Sequence, residues 1–347
     1  MTTAASSGAD AAALSFLTAL TTHRRRVLLV GAIGVAAAVY ADQFFTHPRT
    51  GIMASDFGQI WFASRTLLSG GNPYDVVGPG RAFDWPFPLL YPVTALLTAV
   101  PLTWLPLRLA EAVFVGIGAG LLAWGLTRRT LANPQLLVFT SFAMVAAAQC
   151  VQWSPLLTAG ALIPTLGFLF AAKPTIGLAL FVAYPSTRAL IGCISITLLS
   201  LVVAPSWPSA WLATLPAASH MTAPIMRPGG LLLALALLRW RRPEARLLLA
   251  LGCVPQTPML NETVPLFLVV QTLPEGLTLM YLTVITAHLV GTIYQGTTDY
   301  QGWMAGLGVW ALWLVYLPCL VMVLRRPNVG AALVWRSPLA LRRVVST

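Results

Sequence analysis

Residues 55–75, SDFGQIWFASRTLLSGGNPYD, put Asp56, Arg65 and Asp75 within one short stretch of a chain that is otherwise sparing with charge. Asp56 followed three residues later by Gln59 has the form of a capping box, in which a carboxylate accepts from the free amides that open a helix. A carboxylate at a lipid–water boundary is also partly desolvated. That raises its basicity toward neutral pH and suits it to take a proton from a hydroxyl group. The two roles are compatible, because a cap fixes where the carboxylate points. Asp75 reads as a turn residue of the Asn-Pro-Tyr-Asp sequence, whereas Asp84, close to Arg81, is available as a second carboxylate for a metal or an acceptor.

Lys173 is the single lysine of the chain and has apolar residues on both sides. A charge at membrane depth is costly and usually faces a cavity or a partner. It can contact a phosphate, or it can snorkel or form an ion pair that ties helices together. His220 and Arg227 stand in the stretch PSWPSAWLATLPAASHMTAPIMRPGG. Histidine can bind or protonate a phosphate oxygen and arginine can clamp one; a solvated loop histidine and a headgroup contact are the plainer roles. Trp207 and Trp211 suit interfacial anchoring or stacking on a ring. Asn261-Glu262 is a polar pair between two apolar pieces, either a functional carboxylate or a hydrogen-bonded pair at a helix kink. Glu111 and His288 lie in apolar runs without an assigned role.

The elements that must position these groups follow from composition. Of 347 residues, 57% are hydrophobic and 9% charged, against about 25% charged in soluble chains, and mean hydropathy is +0.78. Lipid is therefore the expected solvent for most of the chain. The net charge of +11 comes from arginines in short clusters between apolar runs. This is a positive-inside pattern rather than a nucleic-acid-binding patch. Cys150, Cys193, Cys253 and Cys319 lack zinc spacing and read as core residues. No phosphate-binding glycine loop, dinucleotide fingerprint or nucleophile motif is present.

The reading is an all-α polytopic membrane protein with about ten to twelve transmembrane helices. Residues 1–22 are expected as a flexible cytoplasmic tail, 23–326 as the membrane domain and 327–347 as a second cytoplasmic tail. The apolar run after HRRR (23–26) reads as a signal anchor; Ala36-Ala37-Ala38 also offers a cleavage site. With both termini inside, loops near 46–87, 205–228 and 291–302 face outward, and the arginines of 239–246, 325–326 and 336–343 face inward. Arg128 and Arg129 violate this pattern. Apolar residues at 57, 60, 61, 67 and 68 share one helical face, which predicts a short amphipathic helix in the outer interface, ended by Gly70-Gly71.

Asp56, Phe62-Ala63-Ser64-Arg65, Leu67-Leu68, Gly70 and Asn72-Pro73-Tyr74-Asp75 together resemble the first outer loop of family GT87. Its members are polyprenyl-phosphate-dependent glycosyltransferases of the GT-C fold and include mycobacterial mannosyltransferases. Tyr91-Pro92 and Lys173-Pro174 in AAKPTIGLALF match two further family features. The family's Tyr-Pro-Pro has Val93 at its last place, and its Gly-Gln-x-Asn is replaced around Ala148-Gln149 and Gln152-Trp153-Ser154. The match spans roughly residues 27–185. The resemblance implies that Asp56 is the catalytic base and that a polyprenyl-phosphate sugar, most simply mannose, is the donor. It implies a lipid or glycan acceptor, no cofactor, and an active site on the outer face of a bacterial cytoplasmic membrane. Arg65, Asp84, Tyr91, Lys173, His220, Arg227 and Glu262 form the candidate substrate-binding set. A transporter or flippase of lipid-linked sugars is the alternative, and a scaffold subunit a third.

Overall fold

Alanine, the strongest helix former, dominates the N-terminal segment. In the computed structural model, which describes residues 4–46, 55–218, 221–295 and 300–329, helix α1 runs Ala4–Thr46. The backbone is thus helical from residue 4 onward, through the segment 4–22 that the sequence assigns to a tail. The described chain is all-α apart from a two-residue pairing of β1 (Val77–Gly78) with β2 (Phe83–Asp84).

Among the described residues, four helical stretches are long and apolar enough to cross a membrane: Thr21–Phe44, Leu107–Leu126, Leu273–Ile293 and Gly302–Leu324. A fifth arises if Thr187–Val203 and Trp207–Ala218, bent by 101°, are one broken span. The other apolar runs fold as short pieces. Helix α3 covers only Val93–Ala99, and tight 3-10 turns form Pro134–Thr140, Pro164–Ala171 and Leu260–Val269. Proline explains much of this, since it starts a helix readily but cannot continue one. Pro134, Pro164 and Pro174 each open a new segment. The last span contains a π-helical turn, Leu312–Tyr316, directly before Pro318.

Helix α1 packs along α4 (Leu107–Leu126). Glycines allow this: a Cβ on Gly116 would sit 3.0 Å from both the Gly34 carbonyl oxygen and the Ala38 Cβ. Small residues spaced by four let membrane helices approach this closely. At one end of the pair Arg26 lies over the Trp124 ring and donates to the Trp124 carbonyl and the Thr127 hydroxyl. At the other end Arg108 grips Asp42 with two hydrogen bonds of 2.5 and 2.9 Å. Arg128 therefore lies at the same end as Arg26. The two violate a common orientation only if the run 88–104 is counted as a span, and α3 is too short to be one.

The Arg26 end gathers most of the arginines among the described residues. Gln135 donates to the carbonyls of Leu268 and Val270, and beside them Arg326 reaches the Val269 carbonyl and Glu275. Arg239 donates to the carbonyls of Leu324 and Arg326, and Arg246 to those of Val182 and Ala183. These are the ends of α13 (Leu317–Leu324) and α7 (Pro174–Ala183). Cations there satisfy carbonyls with no partner in the helix and complement the helix dipole.

Candidate functional site

Helix α2 runs Asp56–Leu68, the interval its apolar periodicity predicts, and Gly70 follows with φ of 80°. The residue that caps it is Ser55, not Asp56. Ser55 Oγ accepts from the Gly58 amide at 2.9 Å and donates to Glu111 Oε1 at 2.5 Å. Glu111 thereby acquires a role, holding the cap from α4. Asp56 is the first helical residue, and its carboxylate is released from capping. The helix packs Phe57, Ile60 and Ala63 inward against α3 and α4 rather than lying wholly in an interface.

Three rings fix what stands around Asp56. Phe57 stacks on Phe114 at 4.5 Å between centroids, and Phe114 meets Trp153 edge-on at 4.9 Å. Each such pair contributes about 0.5–1.5 kcal/mol beyond burial. Phe57 and Trp153 are the chain neighbours of Asp56 and Gln152, so this stack brings the two polar residues together. Gln152 Nε2 donates to Asp56 Oδ2, and Gln59 Nε2 donates to Oδ1 at 3.2 Å.

Gln152 owes its position to a turn. At the end of α5 (Phe142–Gln149) the Val151 amide bonds to the Ala148 carbonyl and the Gln152 amide to Ala147. These are the two bonds of a Schellman motif, whose left-handed residue is ordinarily glycine. Here it is Val151, fully buried, with φ of 50°. A β-branched residue in that region costs about 1–2 kcal/mol.

The other face of Gln152 meets the cation. Lys173 Nζ donates to Gln152 Oε1 at 3.0 Å and to Glu262 Oε1 at 2.5 Å. Pro174 excludes the helical conformation for the residue before it. Lys173 is accordingly non-helical, with φ −135° and ψ 84°, at the head of α7. Glu262 is 1% exposed and its Oε2 has no partner. Both side-chain polar atoms of Asn261, and those of Trp153 and Ser154, are likewise buried without one. The centre thus holds two carboxylates and one ammonium: Asp56, Glu262 and Lys173, linked by one amide. Burial, with Glu262 reinforcing it, lifts the Asp56 carboxyl to about 6, against the opposing pull of Lys173 and of the Gln59 hydrogen bond. An acid of that strength is ionised in most molecules at neutral pH and still basic enough to accept a proton.

Of the remaining candidates, buried Tyr91 lies within electrostatic reach of Asp56 and Glu262. Its carbonyl accepts from Tyr74. Arg227 lines a small cleft with Glu262, Gln256 and Tyr316. It donates to the Ala305 carbonyl at 3.2 Å, and Gly308 leaves the room its guanidinium occupies. Arg65 is exposed and lies over the Trp61 ring, off the face that carries the centre. Asp84 accepts from the Gly80 amide and closes an exposed turn. Asp75 accepts from Asn72, as its turn sequence predicts. His220 falls outside the described residues. Residues Gln152 and Ser55 were not among the sequence candidates. The signals for the first are a lone amide between two apolar runs and its place in the segment that replaces the family's Gly-Gln-x-Asn.

The described residues contain no group of three or more His, Cys, Asp or Glu side chains that could hold a metal ion. No family model matches the chain, and neither a curated protein nor a solved structure is significantly similar to it.

Proposed function

We propose that this protein is an inverting glycosyltransferase of the membrane that uses a polyprenyl-phosphate sugar, most simply mannose. The observation that carries the reading is the join between a half-buried carboxylate of raised basicity and the chain's single lysine, through Gln152. The base and the leaving group of a sugar transfer need opposite charges within one sugar's breadth of each other. In the reaction Asp56 takes the proton of an acceptor hydroxyl. The oxygen forms a bond to the anomeric carbon as the bond from that carbon to the phosphate oxygen breaks. The electron pair leaves on the phosphate, where Lys173 and, from the adjoining cleft, Arg227 offset the developing charge. Attack opposite the leaving group inverts the configuration.

Two further features support the reading. Of the GT87 family's Gly-Gln-x-Asn, which is replaced around Gln152-Trp153-Ser154, the glutamine remains at Gln152, and Val151 before it is left-handed, a conformation that glycine takes most readily. The centre also lies toward the end of the bundle opposite the arginines. Lys173 opens α7, and Ala183 at its far end bonds to Arg246, about 15 Å away at the rise of an α-helix. With the arginines on the cytoplasmic side, the centre opens outward, both termini lie inside, and a lipid-linked donor reaches it from the outer leaflet. Ten to twelve crossings would require the short apolar helices to act as half-spans. The transporter alternative predicts polar residues midway along several long spans. Here polarity gathers at the heads of short elements.

The test is to incubate purified protein and its Asp56→Ala variant with radiolabelled polyprenyl-phosphate mannose and an envelope lipid extract. Labelled glycolipid made by the wild type alone is the expected result. Equal labelling by both would return Asp56 to a structural role, and no labelling across a panel of donor sugars would defeat the enzyme reading.

A further inference from the structure

Among the described residues Lys173 reaches Asp56 by hydrogen bonds only through Gln152, and the amide between them has one favourable orientation. Its N–H faces the carboxylate and its oxygen faces the ammonium. Flipped, it would set oxygen against oxygen and N–H against ammonium. The turn that delivers it keeps a buried valine in a left-handed conformation. Strain of this kind persists where the surroundings over-determine it and clusters at functional positions.

The groups acting on Asp56 can be named from each element around it. Lys173 precedes α7 and Glu262 lies on the 3-10 segment Leu260–Val269. Tyr91 precedes α3 and Cys150 ends α5; both are uncharged near neutral pH. Gln59 comes from α2 itself, and Glu111 of α4 is engaged by Ser55. Lys173 is the one cation of this set. Whatever draws its charge away removes the positive field that keeps Asp56 ionised.

Resting on the reading that a lipid-linked phosphodiester comes to Lys173, we propose that Gln152 is a positioning residue that couples the occupancy of Lys173 to the proton affinity of Asp56. An anionic phosphodiester at Lys173 offsets the ammonium's charge and weakens its hold on Gln152. Asp56 then loses both a nearby cation and a firmly oriented donor, and becomes the stronger base. The base is thus strengthened by arrival of the donor and stays weaker while the site is empty. By linkage, binding takes up protons in the range where Asp56 is partly ionised, and lowering the pH tightens binding by the same factor. The cost is that donor held at low pH sits beside a protonated, idle Asp56.

Titration calorimetry of the full chain in detergent micelles tests this with farnesyl methyl phosphate, whose single charge does not change between pH 5 and 9. Measured at pH 6.5 in two buffers of different ionisation enthalpy, the wild type is expected to take up about half a proton per ligand bound. Its affinity is expected to fall about tenfold from pH 5.5 to 8. Asp56→Asn should bind with neither uptake nor pH dependence. Gln152→Leu should still bind, with uptake at least halved; a merely structural glutamine would weaken binding equally at every pH and leave uptake unchanged. If the leucine variant does not fold, Gln152→Met takes its place. Binding by the wild type without uptake, or uptake that survives in Asp56→Asn, overturns the coupling and leaves the donor reading standing. Unchanged uptake in the Gln152 variant overturns the role of that residue. Absence of binding by the wild type removes the donor reading and the coupling together.

Discussion

Removing the charge of Asp56 has two opposite consequences. As the base, it is expected to cost at least about a hundredfold in sugar transfer when replaced by asparagine. As a buried carboxyl it is expected to be a burden on the fold. Its proton affinity rises from an ordinary 3.8 to about 6 on folding. The protonated form is therefore favoured by folding, and that contribution is lost as the pH rises through 6. Asp56→Asn should unfold at a higher temperature than wild type at pH 7.5, by an amount worth about 1–3 kcal/mol, and show no advantage at pH 4. Thermal melts at the two values check this. For the same reason kcat/KM for the donor, which reports the free enzyme, should rise with pH through about 6 and level off above it, read from initial rates. Lys173→Met presents a different case, since it leaves Glu262 buried and unpaired, which typically costs about 3–5 kcal/mol. Adding Glu262→Gln should recover much of the melting temperature but none of the transfer. Lys173 and Asp56 stand out in the sequence as charges in apolar surroundings. Their meeting does not, because it passes through Gln152, which has no charge to betray it, and through Val151, whose conformation no propensity predicts. The capping role fell one residue early, on Ser55. Serine and aspartate are equally good caps, and Glu111 decides between them from a distant helix.

At the scale of elements, α2 was legible because its apolar period and glycine stop agree. The spans were less so. A run of apolar residues does not say whether proline will divide it, and a short segment buried in protein is as apolar as one in lipid. The α1–α4 contact shows the same limit: Gly116 and Gly120 are visible in the chain, but their partner Gly34 is identified only by the approach of the helices. Gly116→Val should force the pair apart, because its Cβ would already sit 3.0 Å from Gly34. A loss of about 1–3 kcal/mol is expected, seen as a lower melting temperature and faster proteolysis of α1.

For the whole molecule, the separation of arginines from the acidic centre makes a prediction about sidedness. In a background with the native cysteines replaced, Ala82→Cys on the exposed turn between β1 and β2 should react with an impermeant maleimide in intact cells. Arg241→Cys should react only after the membrane is opened. Reaction of both in intact cells would contradict the orientation. The charge asymmetry was readable in the sequence. Its apparent exception at Arg128 was not resolvable there, since it depends on α1 and α4 being adjacent and antiparallel, with Arg26 and Thr127 in contact.

The two contacts that α4 makes, to Asp42 near the end of α1 and to Ser55 at the head of α2, also matter to anyone who wishes to manipulate this protein. Arg108 holds Asp42 and, one turn further along the same helix, Glu111 holds Ser55. The end of α1 and the head of α2 are therefore held to one rigid rod at points about 5 Å apart along its axis. A probe fixed to α1 or α2 near these contacts therefore reports on the position of α4 and, through Ser55, on the helix that carries the reacting carboxylate.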